Sequence, residues 1–223
     1  MSRLPRAVLP LAALGAAWYL RSVYRYRDPI RIPAAEAGAV LSPADGLLSF
    51  VRRIEGGEVR AETLAAPLSA RDLTGADVRE GWLLGLFVGP LDPHFAYAPA
   101  DGTVRQAQHL GSRLNVPVGV GAAAQLLLGR PADLLGTRGT AENERHTTTL
   151  ETPRGDVTVT LVAGGGGLDA TLYARPGDRF RAGHKLAFLE EGGLVLLTLP
   201  AGAVPQVSVG DRLRGAETVV AQL

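Results

Sequence analysis

Glycine and proline recur so often in this chain, 28 and 15 times in 223 residues, that regular structure is cut into short pieces. Beyond residue 33 the pieces between them are of strand length, and many alternate or are wholly apolar: residues 47–54, 82–88, 102–108, 147–151, 157–163, 170–174, 185–189, 194–199 and 218–222. The pattern predicts a mainly β fold with few helices. Helical candidates are the N-terminal segment, residues 122–128, and residues 131–135 after them.

Two phrases occur twice. Pro43-Ala44-Asp45-Gly46 returns as Pro99-Ala100-Asp101-Gly102, each running into a strand, and Gly177-Asp178-Arg179-Phe180-Arg181 returns as Gly210-Asp211-Arg212-Leu213-Arg214. Each reads as a turn: proline sets φ, aspartate caps locally and glycine supplies positive φ. A Pro-x-x-Gly strand followed later by a Gly-Asp-x-x-x-x-Gly strand also resembles the two halves of biotinyl and lipoyl carrier domains. That resemblance implies a barrel-sandwich-hybrid-like β domain, closed at glycine corners rather than an open sheet.

The absence of cysteine removes thiolate metal sites, cysteine nucleophiles and disulfides. Net charge is +1, too near neutral for a nucleic-acid partner, yet residues 1–33 hold six arginines against Asp28 alone and leave the remaining 190 residues at −4. The same region carries the one long apolar run, residues 7–20, followed by Tyr24 and Tyr26. Fourteen residues fall short of the roughly 20 a spanning helix needs, and no small-x-small cleavage site follows. Arginine and aromatic flanks instead suit a segment seated on an anionic lipid surface. The expected organisation is a membrane-associated segment at 1–33 and a β domain at 34–223, placed at the cytoplasmic face of the cell membrane.

Four phrases in register resemble the short, archaetidylserine-decarboxylase-like form of the phosphatidylserine decarboxylase family. Tyr26-Arg27-Asp28-Pro29-Ile30-Arg31 is similar to its FRDPxR phrase, and Leu41-Ser42-Pro43-Ala44-Asp45-Gly46 to its SPADG phrase. Gly89 to Pro99 resembles SPLDVHVNRAP, and Glu142-Asn143-Glu144-Arg145 is ENER itself. A fifth, residues 183–200, runs without a gap along the family's GQRFGLIRFGSRVDVYLP and sets Gly193 on its serine, with Gly192 before the cleavage point.

The resemblance implies an Asp-His-Ser arrangement of Asp45, His94 and residue 193. In the family the serine oxygen attacks the preceding carbonyl, and elimination from the ester leaves a self-derived pyruvoyl cofactor on phospholipid-decarboxylating enzyme. Glycine has neither hydroxyl nor β-carbon, and residues 184–197 contain no Ser, Thr or Cys; Thr198 stands five residues on. The expectation is a family scaffold without cofactor, in which Asp45 and His94 are vestigial. Where the family carries an AGxxARR stretch, residues 163–170 read Ala-Gly-Gly-Gly-Gly-Leu-Asp-Ala, without arginines.

On this reading the partners are an anionic lipid surface, a phosphatidylserine headgroup, and a second copy or an active paralogue. The alternatives are an active enzyme making phosphatidylethanolamine and a biotinyl or lipoyl carrier-like adaptor. The carrier's lysine position falls on Gly193, and the single lysine, Lys185, lies in a strand as a solvated side chain, beside an exposed His184. Gly164 to Gly167 lacks the Lys-Ser or Lys-Thr of a phosphate loop. His109 and His146 read as surface residues, and no metal site is expected.

Overall fold

A computed structural model describes residues 8–34, 36–111, 114–122, 125–126 and 128–223. Arg3, Arg6 and Ala7 of the N-terminal segment 1–33, and residues 123, 124 and 127 of the second helix candidate, lie outside it.

The chain is mainly β. Among the described residues, helix α1 (Val8–Ser22) and a short 3-10 turn (Tyr24–Tyr26) precede sixteen strands. The first seven are β1 (Ala39–Leu41), β2 (Gly46–Glu55), β3 (Glu58–Val59), β4 (Leu68–Ser69), β5 (Gly81–Val88), β6 (Phe95–Tyr97) and β7 (Gly102–Leu110). Then come β8 (Arg145–Thr152), β9 (Gly155–Ala163), β10 (Ala170–Leu172), β11 (Arg179–Phe180) and β12 (Lys185–Leu189). The last are β13 (Gly193–Pro200), β14 (Val204–Pro205), β15 (Arg212–Leu213) and β16 (Val219–Gln222). Ten strands form one curled half-barrel sheet in the order β11-β7-β8-β9-β13-β5-β2-β3-β4, with β15 on β2. Two three-stranded sheets, β1-β16-β14 and β10-β12-β6, cover it.

Strand β13 shows why the wholly apolar runs become central strands. It lies between β9 and β5, and its residues alternate between two cores: Leu194 and Leu196 face one, Val195, Leu197 and Leu199 the other. Burying each such side chain stabilises the fold by roughly 1.5–3 kcal/mol. Polar strands reach the same end by self-pairing: Thr147 meets Thr160 at 3.0 Å and Thr149 meets Thr158 at 3.1 Å across β8 and β9.

The repeated phrases pair with each other. After the first Pro-Ala-Asp-Gly, Gly46 and Leu47 pair with Leu213 and Arg212; after the second, Gly102 and Thr103 pair with Phe180 and Arg179 in the same register. Leu48 accepts from Gly210 N and donates to Asp211 O; Val104 accepts from Gly177 N and donates to Asp178 O in the same way. Asp178 and Asp211 each cap their own turn by accepting from the amide three residues back, at 2.9 and 2.8 Å. The repetition is therefore an internal two-fold pairing.

Two helices were not legible: α2 (Ala70–Thr74), capped by Ser69 and ended by left-handed Gly75, and α3 (Arg138–Glu142), capped by Thr137. Residues 131–135, expected helical, are irregular. Ser49 takes over their backbone groups, its Oγ donating to Ala132 O and accepting from Leu134 N, while Asp133 caps the Leu135 amide.

Candidate functional site

Gly193 opens β13 at the junction between sheets, paired with Val88 of β5 and Ala163 of β9. Gly192 takes φ +70° and Gly193 φ +142°, both in the region L side chains avoid. A Cβ at 192 would stand 2.7 Å from Val88 O, and one at 193 would overlap the Val162 carbonyl oxygen and approach the Gly164 amide to 3.2 Å. Backbone closes on this junction from both sides.

His94 is buried beside it, its Nε2 within 3.6 Å of where a Gly192 Cβ would stand. Nδ1 lies 3.0 Å from Leu189 O and Nε2 3.3 Å from Gly89 O. Burial pushes its pKa below the ordinary imidazole value, against the pull of the two carbonyls. A neutral ring can donate to only one of them, and the shorter contact assigns its proton to Nδ1. His94 thus braces the loop before it against the strand that leads to Gly192, and lines a cavity of about 400 Å³ with Arg25, Glu190, Ala17 and Leu20.

Asp45 is elsewhere occupied. Its Oδ1 accepts from Arg31 Nη2 at 2.5 Å, and both ring nitrogens of His94 face carbonyls, so the two sequence-chosen residues are not joined. Burial raises the Asp45 pKa above the usual carboxylate value, opposed by Arg31. The Gly215 backbone N–H is turned toward the carboxylate, in the place where Ala182 N donates to Asp101 at 2.7 Å in the equivalent half, but Oδ2 closes no hydrogen bond. Asp45 lines a second cavity, about 480 Å³, with Arg27, Arg31, Asp92, Arg212 and Arg214. Arg31 lies in no strand or helix; its signal was the phrase it ends, while Arg212 and Arg214 repeat Arg179 and Arg181 of the other half.

The Glu-Asn-Glu-Arg phrase holds the glycine loop beside Gly193. Asn143 Nδ2 donates to Val116 O and Ala163 O, Glu144 Oε2 accepts from Leu168 N at 2.8 Å, and buried Arg145 donates to the carbonyls of Asp72, Leu73, Ala141 and Asn143. Sequence reading missed these positioning roles because the partners are backbone.

Two other expectations change. His146 is buried, not at the surface, and stands directly across from His109, which pairs with Glu144 at 2.9 Å. Lys185 is half-buried, its Nζ 2.5 Å from Asp28 Oδ2 and 4.2 Å above the Phe95 ring, although His184 is exposed. Among the described residues no group of three or more His, Asp or Glu is arranged to hold a metal ion.

A family profile described as phosphatidylserine decarboxylase matches residues 18–221. The chain is 30% identical over 219 residues to a phosphatidylserine decarboxylase proenzyme of Ralstonia nicotianae, covering 95% of this chain and 85% of that one. It is 30% identical over 203 residues to the one of Gluconacetobacter diazotrophicus, covering 90% and 76%. A Methanothermobacter thermautotrophicus protein named for archaetidylserine decarboxylase is 29% identical over 197 residues, covering 88% and 78%. With the profile spanning nearly its whole length, this chain belongs to the phosphatidylserine decarboxylase family.

Proposed function

We propose that this chain is a non-processing member of its family, a membrane-seated protein of phospholipid metabolism that binds a lipid headgroup and acts as a regulator or partner subunit, without a pyruvoyl group of its own. The observation that carries this reading is Gly193. The relatives are named proenzymes, and the resemblance of residues 183–200 to the family phrase sets Gly193 where the serine that would give the cofactor stands. A pyruvoyl group needs a side-chain oxygen to break the chain and a β-carbon to become the ketone's methyl. Gly193 has neither, and the backbone around it leaves no room for a Cβ. The residues present do not fit the group. Thr198, the next hydroxyl, is buried inside β13 between Leu83 and Thr158, away from the junction.

Membrane seating is supported by α1. Its 15 residues extend about 22 Å, short of a bilayer core near 30 Å. No helix among the described residues is long and apolar enough to cross a membrane. Leu11, Leu14 and Trp18 are each about two-thirds exposed, which suits a helix lying in the lipid interface, at the cytoplasmic face.

The purified chain is expected to release no carbon dioxide from phosphatidylserine vesicles and to leave a hydrazide carbonyl probe unbound. Turnover, or a probe-labelled fragment beginning at residue 193, would reject the reading.

A further inference from the structure

We propose that residues 25–33 form a strap that closes both the His94 cavity and the Asp45 cavity, and that lifts as one unit when its ionic fastenings are broken. It names what controls entry to the site of the proposed function and rests on that reading only for what enters; the gate itself is tested without a ligand.

The strap passes β12 in reverse order. Arg25 Nη1 donates to Glu190 O at 2.9 Å while Nη2 lies 3.4 Å from the Glu190 carboxylate, the Tyr26 ring stacks on Phe188 with centroids 5.4 Å apart, and Lys185 Nζ donates to Asp28 at 2.5 Å. Pro33 ends it at Gly183, where an added Cβ would collide with the proline ring. Between these points Arg31 reaches across to Asp45 and Glu217.

These fastenings are made by side chains. Among the described residues, no carbonyl from Asp28 to Pro33 accepts a hydrogen bond, and one amide, Ile32 N–H, donates, to Glu217 Oε1 at 3.4 Å. Ion pairs this close to solvent stabilise weakly and are screened by salt. Ile30 and Ile32, 93% and 80% exposed, add little packing. A segment with so few backbone bonds and so little burial belongs to the least stable part of a fold.

What the strap covers gives it a role. The two cavities share no lining residue, yet each takes a wall from it: Arg25 stands with His94 and Glu190 in one, and Arg27, Pro29 and Arg31 stand with Asp45 in the other. The stretch between them is short and stiffened by Pro29, whose ring fixes φ, so the two walls move together.

The chain's own histidines report the motion: His94 is buried behind the strap, His184 is exposed, and His146 is buried on β8. Mapping of diethyl pyrocarbonate adducts on the full chain is expected to show His184 modified fast and His94 slowly. Raising the salt from about 0.05 to 0.5 M, where screening becomes strong, should speed His94 at least five-fold, with His184 unchanged and His146 unmodified. Glu190→Gln with Lys185→Met should do the same at low salt, and trypsin should then cut after Arg27 and Arg31 at least five-fold faster. The salt comparison needs no variant and decides the matter if the double variant fails to fold. His94 indifferent to salt and to the variant overturns the proposal. So does a gain at His94 and His146 together, which would make the whole fold the gate. Neither result depends on a lipid or on whether the chain is cut at Gly193, so the strap and the proposed function fail separately.

Discussion

At Gly193 one backbone angle and one carbonyl carry most of the chemistry. A side chain at φ +142° is strained by about 1–3 kcal/mol, and its Cβ would also displace Val162 O. Gly193→Ser is therefore expected to lower stability by at least about 2 kcal/mol in urea unfolding. It should also remain uncut in an intact-mass measurement, because Asp45 is held by Arg31 and His94 by two carbonyls. His146 makes a different prediction. Both its ring nitrogens are buried without partners, and burial, aided by His109, holds its pKa below 6.5. The folded state then binds fewer protons than the unfolded one, so its contribution is complete above about pH 6.5 and is lost as pH falls below it; His94 acts with the same sign. His146→Leu should flatten the decline of Tm between pH 7 and 5 and raise Tm by relieving an unpaired group worth about 1–3 kcal/mol. An unchanged slope would contradict this. The burial of His146 was illegible because the run Arg145 to Thr149 is wholly polar; its threonines and Arg145 find partners in the neighbouring strand and backbone, so polarity there does not signal exposure. Gly193 and His94 could be read from the sequence as neighbours; the diversion of Asp45 could not, since nothing in its phrase names Arg31.

At the scale of elements, the nine strand-length runs all stand, with bounds shifted by a residue or two and β10 shorter than expected. Central strands such as β5 and β13 were legible because a strand buried on both faces is apolar on both, whereas β7 and β8 carry polar residues and were read from their length between turns. Strands β1 and β6, three residues each, are too short to show a period, and α2 and α3, five residues each, are set by caps and packing. The Arg145 anchor between α2, α3 and β8 has no carboxylate among its hydrogen bonds and donates to four carbonyls. Arg145→Met should strip those carbonyls of donors and lower stability by about 3 kcal/mol or more, measured by denaturant midpoint. Arg145→Lys should recover only part, since an ammonium cannot reach all four. For α1, Leu14→Glu with Trp18→Glu should reduce binding to anionic vesicles at least ten-fold without moving the denaturant midpoint, since both side chains are exposed. Retained vesicle binding would place membrane contact elsewhere.

Across the whole molecule, the paired phrases build one curled sheet whose two halves meet through matching registers, and the same duplication explains the turn-shaping places of Asp45 and Asp101. Mainly β character and the repeats were open to reading from glycine and proline spacing; the sheet order was not, because it depends on which short strands cross-pair. The backbone through residues 189–193 links the small sheet containing β12 to the large one containing β13, and His94 braces that link. The most direct test is the intact mass of the purified, untreated chain. A single species at the full 23.3 kDa is expected. Two polypeptides, the smaller being the 31 residues from 193 to 223 with a ketone at its amino end, would contradict it.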